Sequence, residues 1–103
     1  MKLINPHDFK AARAWGALDI AEIDGATVRL HWADRPYKWH TNDGAEVFVV
    51  VSGEAEMHYR EGGAEKTVRL KAGDIFLAEE GDAHSAAPVG EARVLVIERA
   101  GSV

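Results

Sequence analysis

The sequence predicts an all-β domain, a small barrel or sandwich of short strands behind one short N-terminal helix. Three observations carry that expectation. Apolar and polar residues alternate at period two through most of the chain, short β-branched runs interrupt the alternation, and glycine turn signals fall between the runs.

Taken in order, Asn5 suits a helix cap, Pro6 the first helical position and Asp8 the first turn, where the helix dipole favours an anion. This predicts a helix over about 5–14 with Phe9 packed inward. Thr27-Val28-Arg29-Leu30-His31-Trp32 alternates as a half-buried strand should, with Val28, Leu30 and Trp32 on one face and Arg29 and His31 on the other. Ala55, Met57 and Tyr59 oppose Glu54, Glu56, His58 and Arg60 in the same way, and Val68 and Leu70 alternate with Thr67, Arg69 and Lys71. The runs from Val47 to Val51 and from Val94 to Ile97 are apolar throughout, which predicts strands covered on both faces. Asp24-Gly25 signals a type I′ hairpin, Ser52-Gly53 and Gly62-Gly63 two further reversals, and Lys71 to Asp74 and Glu80 to Asp82 turns. About eight or nine short strands result, spanning roughly 18–99, in one domain over the whole chain.

Length and composition agree. A chain of 103 residues, 47% apolar and 28% charged, suits one globular core. A formal charge of −5 with scattered Lys and Arg argues against a nucleic-acid partner. No basic amphipathic stretch points to a membrane surface, and no apolar run has the length of a spanning helix or a signal peptide. Without cysteine there is no disulfide framework, and the expected compartment is the cytoplasm.

Position sorts the histidines. His7 falls in the N-terminal helix, His31 beside Arg29 and His58 beside Glu56 and Arg60, and all three read as surface or packing residues, with a place behind the pocket left open for His31. His40, Asn42, Glu46 and His84 form the candidate site. His40 and Asn42 are two apart and project together from a strand. Two imidazoles with one carboxylate leave open positions on Fe(II) or a similar divalent ion, and an amide oxygen from Asn42 would be a weaker fourth contact.

The spacing around these residues resembles the two motifs of the cupin family, G-x5-H-x-H-x3–4-E-x6-G and G-x5-P-x-G-x2-H-x3-N. His40 and Asn42 are followed by Glu46 after three residues and Gly53 after six more; Gly73 is followed by Gly81 after seven and His84 after two. The stretches WHTNDGAEVFVVVSGEAEM and LKAGDIFLAEEGDAHSAAP are similar to those of small one-domain cupins, including the mannose-6-phosphate isomerase-like group. The resemblance implies a cupin jelly-roll β-barrel, metal ligands at His40, Asn42, Glu46 and His84, and a homodimer. Asp34, Asn42, Glu79 and Pro88 depart from the motifs. Asn42 stands where a ligand histidine is expected, which weakens the implied site for Fe, Mn, Ni or Zn.

Parity adds a demand of its own. A plain two-residue hairpin at Asp43-Gly44 would put His40 and Glu46 on opposite faces, so a shared site requires an irregular connection over 42–45. Trp32, Tyr37, Trp39, Phe48 and Phe76 supply core volume, and Trp39 and Phe48 adjoin the site as candidate pocket wall. Three readings follow: a metal-dependent enzyme on a small organic molecule with Glu46 as ligand and base, a metal-free small-molecule binder, and a structural or regulatory barrel.

Overall fold

The computed structural model describes residues 1–101. Six antiparallel strands form one sheet: β1 (Ala17–Ile23), β2 (Ala26–Ala33), β3 (Glu46–Glu61), β4 (Ala64–Lys71), β5 (Ile75–Ala78) and β6 (His84–Arg99). Their order is β1-β2-β6-β3-β4, with β5 on the remaining edge of β3. The count is below the expected eight or nine because β3 and β6 are each 16 residues long and each absorbs two of the expected short strands.

Those two strands make the barrel by folding over. β3 and β6 pair from Glu46↔Glu98 to Tyr59↔His84. Laid flat at ~3.3 Å per residue, the stretch from Glu46 to Tyr59 would hold Glu46 and His84 roughly 40 Å apart. Instead their side chains touch at 2.8 Å. The fold falls where the register shifts on either side of Ser52, and Gly53 sits there with φ of 76°. A Cβ on Gly53 would overlap the Glu91 carbonyl oxygen, so glycine is required both by its backbone angle and by the close approach of β6. Ser52-Gly53 is therefore a bulge inside β3, not the expected reversal. Asp24-Gly25 and Gly62-Gly63 do reverse the chain, all four residues with positive φ as a type I′ hairpin requires.

The bend encloses a core of Phe48, Val50, Ala55, Met57, Leu70, Ala86, Val94 and Val96. Val50 and Met57 are wholly buried, worth roughly 1.5–3 kcal/mol each.

Three expectations are corrected. The N-terminal helix is only a 3-10 turn at Pro6–Asp8, capped by the Asn5 side chain on the His7 N–H. Phe9 is already extended, and its carbonyl accepts from Arg93 Nε at 2.6 Å, so docking on β6 replaces further helical turns. Second, the apolar runs are buried on one face only. Phe48, Val50, Val94 and Val96 point in; Val47, Val49, Leu95 and Ile97 are half-buried outside, beside exposed Ile75 and Leu77.

The third concerns β2. Arg29 lies opposite Val96 and His31 opposite Val94, and opposed residues share a face, so the polar side of β2 looks into the barrel. Its apolar side looks outward, where the N-terminal arm reaches Trp32 and Lys10 Nζ sits 5.2 Å from the centre of its ring.

Candidate metal centre

One end of the barrel interior is apolar and the other is polar, and the polar end holds the site. Glu46 begins β3, fixed between Glu98 of β6 and Ala78 of β5. His84 begins β6. His40 lies in the irregular segment before β3, stitched to β6 by paired hydrogen bonds with His84, each 3.0 Å, and by Tyr37 N–H on the Ala86 carbonyl. Residues 41–45 form no hairpin, and His40 pairs with His84 instead of Glu46. One ligand atom from each of His40, Glu46 and His84 lies within 4.8 Å of the others.

The two imidazoles are oriented alike. His40 Nδ1 faces the Lys38 carbonyl at 3.0 Å and His84 Nδ1 the Asp82 carbonyl at 2.8 Å. A carbonyl only accepts, so each Nδ1 carries its proton and Nε2 is left for the cavity, the arrangement in which metal-bound histidines are commonly held. Between His84 Nε2 and Glu46 Oε1 the gap is 2.8 Å, with both groups buried. Burial alone would lower the His84 imidazole, but the Glu46 and Asp82 hydrogen bonds and charges outweigh it and raise it. Burial likewise pushes Glu46 up, yet hydrogen bonds with His84 and Glu98 and the His84 charge hold it below the ordinary carboxylate value. A proton on His84 Nε2 thus neutralises the carboxylate where a cation would also do so.

Donors about 2.1 Å from a shared ion lie at most about 4.2 Å apart. The trio's donor atoms, all within 4.8 Å of one another, are close to that span, and two imidazoles with a carboxylate are a donor set that fits a divalent transition metal.

Glu98 is a second carboxyl at the same end. Burial, then the hydrogen bond and charge of Glu46, raise it from 4.5 to about 7. The pair shares a proton, with the charge resting on Glu46 beside the imidazoles. Asn42, 4% exposed, donates from Nδ2 to Glu98 Oε2 at 2.8 Å. Its Oδ1 is the one buried side-chain polar atom without a partner among the described residues. Asn42 is not on the wall of the cavity; its amide holds Glu98, which in turn contacts Glu46.

The cavity measures about 190 Å³, and Phe48 and Val96 form its apolar floor. Trp39 is not in the wall. It is 40% exposed with the Arg60 guanidinium 5.1 Å from its ring, because adjacent residues of an extended segment face opposite ways and His40 takes the inner side. Trp15 and Tyr37 line the cavity instead, in edge contact at 5.4 Å between ring centres.

Sequence reasoning missed Arg29, Glu98 and Trp15 and gave His31 at most a place behind the pocket; all four line this cavity. Glu98 had a readable signal, since it continues the inward Val94 and Val96 face two residues on. Burial, then Arg29's charge, against a hydrogen bond to the Trp15 carbonyl, leave the His31 imidazole below its ordinary value.

Two histidines and a glutamate converging inside a folded-over antiparallel barrel define a cupin-type site. The chain matches the family described as Cupin domain over residues 26–98 and belongs to that family. A cupin-2 domain containing protein of Shewanella frigidimarina superposes with a TM-score of 0.80 at 25% identity, covering 94% of each chain. A cupin superfamily protein of Desulfitobacterium hafniense gives 0.80 at 16% identity, over 96% of this chain and 90% of that one. A hydroquinone 1,2-dioxygenase solved with Cd2+ and 4-hydroxybenzonitrile gives 0.74 at 17% identity, over 87% of this chain and 67% of that one. No curated protein matches the chain significantly.

Proposed function

We propose that this cupin binds one divalent transition metal through His40, Glu46 and His84 and takes a small organic molecule beside it. The observation that carries the reading is the convergence of two Nε2 atoms and a buried carboxylate, with both Nδ1 atoms already committed to carbonyls. The structural likeness to a dioxygenase solved with Cd2+ or Fe3+ supports it. When bound, the ion would supply Lewis acidity toward a ligand oxygen. Glu46 would provide its negative charge, Glu98 would hold a proton next to that carboxylate, and Asn42 would fix Glu98 in place. Asn42 is thus assigned as a positioning residue behind the site. Sugar-phosphate isomerisation is not proposed, because among the described residues Arg29 is the only Lys or Arg lining the cavity.

Loading the protein with Fe, Mn, Ni and Zn, followed by elemental analysis, tests the reading. One equivalent of one of these, lost in His84→Ala, is expected; no stoichiometric metal with any of them defeats it. A metal-free binder is the second reading, favoured by the His84–Glu46 ion pair that satisfies both groups without a cation. Thermal stabilisation by organic ligands, unaffected by chelator, would establish it instead.

The outer face of β3, β5 and β6 supports a homodimer as a further proposal. Val47, Val49, Leu95 and Ile97 form a half-buried apolar surface beside Ile75 and Leu77, which are 67% and 56% exposed.

A further inference from the structure

We propose that the mouth of this cavity is a carboxylate-recognition subsite: the Arg29 guanidinium receives the acid group of a small planar organic anion whose body lies against Trp15 and Tyr37. The proposal rests on the reading of the cavity as a ligand pocket and names the class of ligand.

The charge at the cavity is asymmetric. Deep in the site, the Glu46 charge is matched by His84 at 2.8 Å. At the mouth, Arg29 Nε lies 2.8 Å from Asp19 Oδ1, with side chains 44% and 80% exposed. No protein group bonds either terminal nitrogen of that guanidinium among the described residues. A fork of terminal N–H groups is the geometry that grips a carboxylate in two parallel bonds. His31, two residues along the same face, is held below its ordinary value, first by burial, and its Nδ1 proton is tied to the Trp15 carbonyl at 2.9 Å. It therefore offers Nε2 as an acceptor and leaves Arg29 as the fixed cation of the cavity wall.

The flat wall is built under constraint. Trp15 has φ of 65°, a conformation that a bulky side chain rarely adopts. Three hydrogen bonds keep it there: its N–H to the Trp32 carbonyl at 2.7 Å, its carbonyl from His31, and its indole N–H to the Arg35 carbonyl at 2.8 Å. Such enforced backbone positions concentrate at ligand clamps. The indole packs on Tyr37, whose ring is 5.0 Å from His40. A cavity of about 150 Å³ is enough for benzene, so the 190 Å³ here takes one ring or an acid of similar size.

The test is calorimetric titration of the 103-residue chain with benzoate, its neutral counterpart benzamide and the non-planar cyclohexanecarboxylate. Benzoate is expected to bind about tenfold more tightly than benzamide, the size of one charge-assisted contact at a half-exposed site, and more tightly than cyclohexanecarboxylate, which keeps that contact but cannot lie flat against Trp15 and Tyr37. Arg29→Gln should abolish the preference over benzamide, Arg29→Lys should retain part of it, and Asp19→Asn, which removes the competing negative charge, should strengthen benzoate binding. Equal affinity for benzoate and benzamide, a preference that survives Arg29→Gln, or no binding of any probe overturns the proposal. Should Arg29→Gln fail to fold, the sign of the Asp19→Asn effect decides. Metal content measured on the same samples separates the two claims: a benzoate preference without metal supports the subsite and removes the metal reading.

Discussion

Replacing Gly53 by alanine tests whether the bend in β3 builds the site. Two costs combine. A residue with a Cβ at φ of 76° adopts a left-handed conformation at roughly 1–2 kcal/mol. The new methyl also overlaps the Glu91 carbonyl oxygen and crowds Ala92 Cα at 3.1 Å, both backbone atoms of β6 that cannot rotate away. Forced shifts of that kind add about 1–3 kcal/mol, so Gly53→Ala should lose about 3 kcal/mol in all. Gly63→Ala is the control, since Gly63 has φ of 81° but nothing within 4 Å of its added Cβ, leaving only the conformational cost. At about 4–8 °C per kcal/mol for a domain of this size, the extra ~1–3 kcal/mol should show in scanning calorimetry as Gly53→Ala melting at least about 4 °C below Gly63→Ala. Metal affinity should fall with Gly53→Ala alone, because the same bend brings Glu46 to His84. Equal melting of the two variants would refute the argument from close approach.

Other consequences are as direct. Asn42→Ala should cost about 1–3 kcal/mol in urea unfolding by leaving a half-buried oxygen of Glu98 without its donor, and should weaken metal binding about 10–100-fold, as loss of a supporting contact does. Chelator-treated protein should lose stability as pH rises from about 5 through 7: His84 and Glu98 both bind protons more tightly when folded, so their contribution is complete below their unfolded values and fades through the folded ones. Glu46 works in the opposite sense, its contribution fading as pH falls below 4.5 and through its lowered folded value, and His31, also lowered on folding, gains as pH rises toward 6.5 and offsets part of the fall. A melting temperature that climbs from pH 5 to 7 would contradict the assigned charges. Leu77→Asp, on the exposed outer face, should turn a dimer into a monomer in sedimentation with little change in melting; a parent protein that sediments as a monomer removes the dimer proposal.

Much of the fold was legible because the barrel is built from local rules. Asp24-Gly25 and Gly62-Gly63 reverse the chain through the positive φ that their residue types tolerate, and period-two patterning located the strands. Ser52-Gly53 carries the same local signal, yet β6 lies against it, and only that non-local contact makes it a bulge. The N-terminal segment fails similarly: Asn5 and Pro6 start a turn, but Arg93, far along the chain, holds the Phe9 carbonyl and stops it. For the candidate site, spacing singled out His40, Glu46 and His84, which the structure brings together. It did not reveal that β2 is inverted, with Arg29 and His31 inside and Trp32 under the N-terminal arm. An alternating strand states which residues share a face, not which face meets the cavity; pairing with Val94 and Val96 decides that.

The most direct test of the central claim is anomalous diffraction from crystals of the metal-loaded protein, collected at the absorption edge of the bound element. The account predicts one peak per chain inside the barrel, about 2.0–2.2 Å from both Nε2 atoms and a Glu46 oxygen. A peak elsewhere on the chain, or His84 Nε2 still closed on Glu46 with no peak between them, would contradict it.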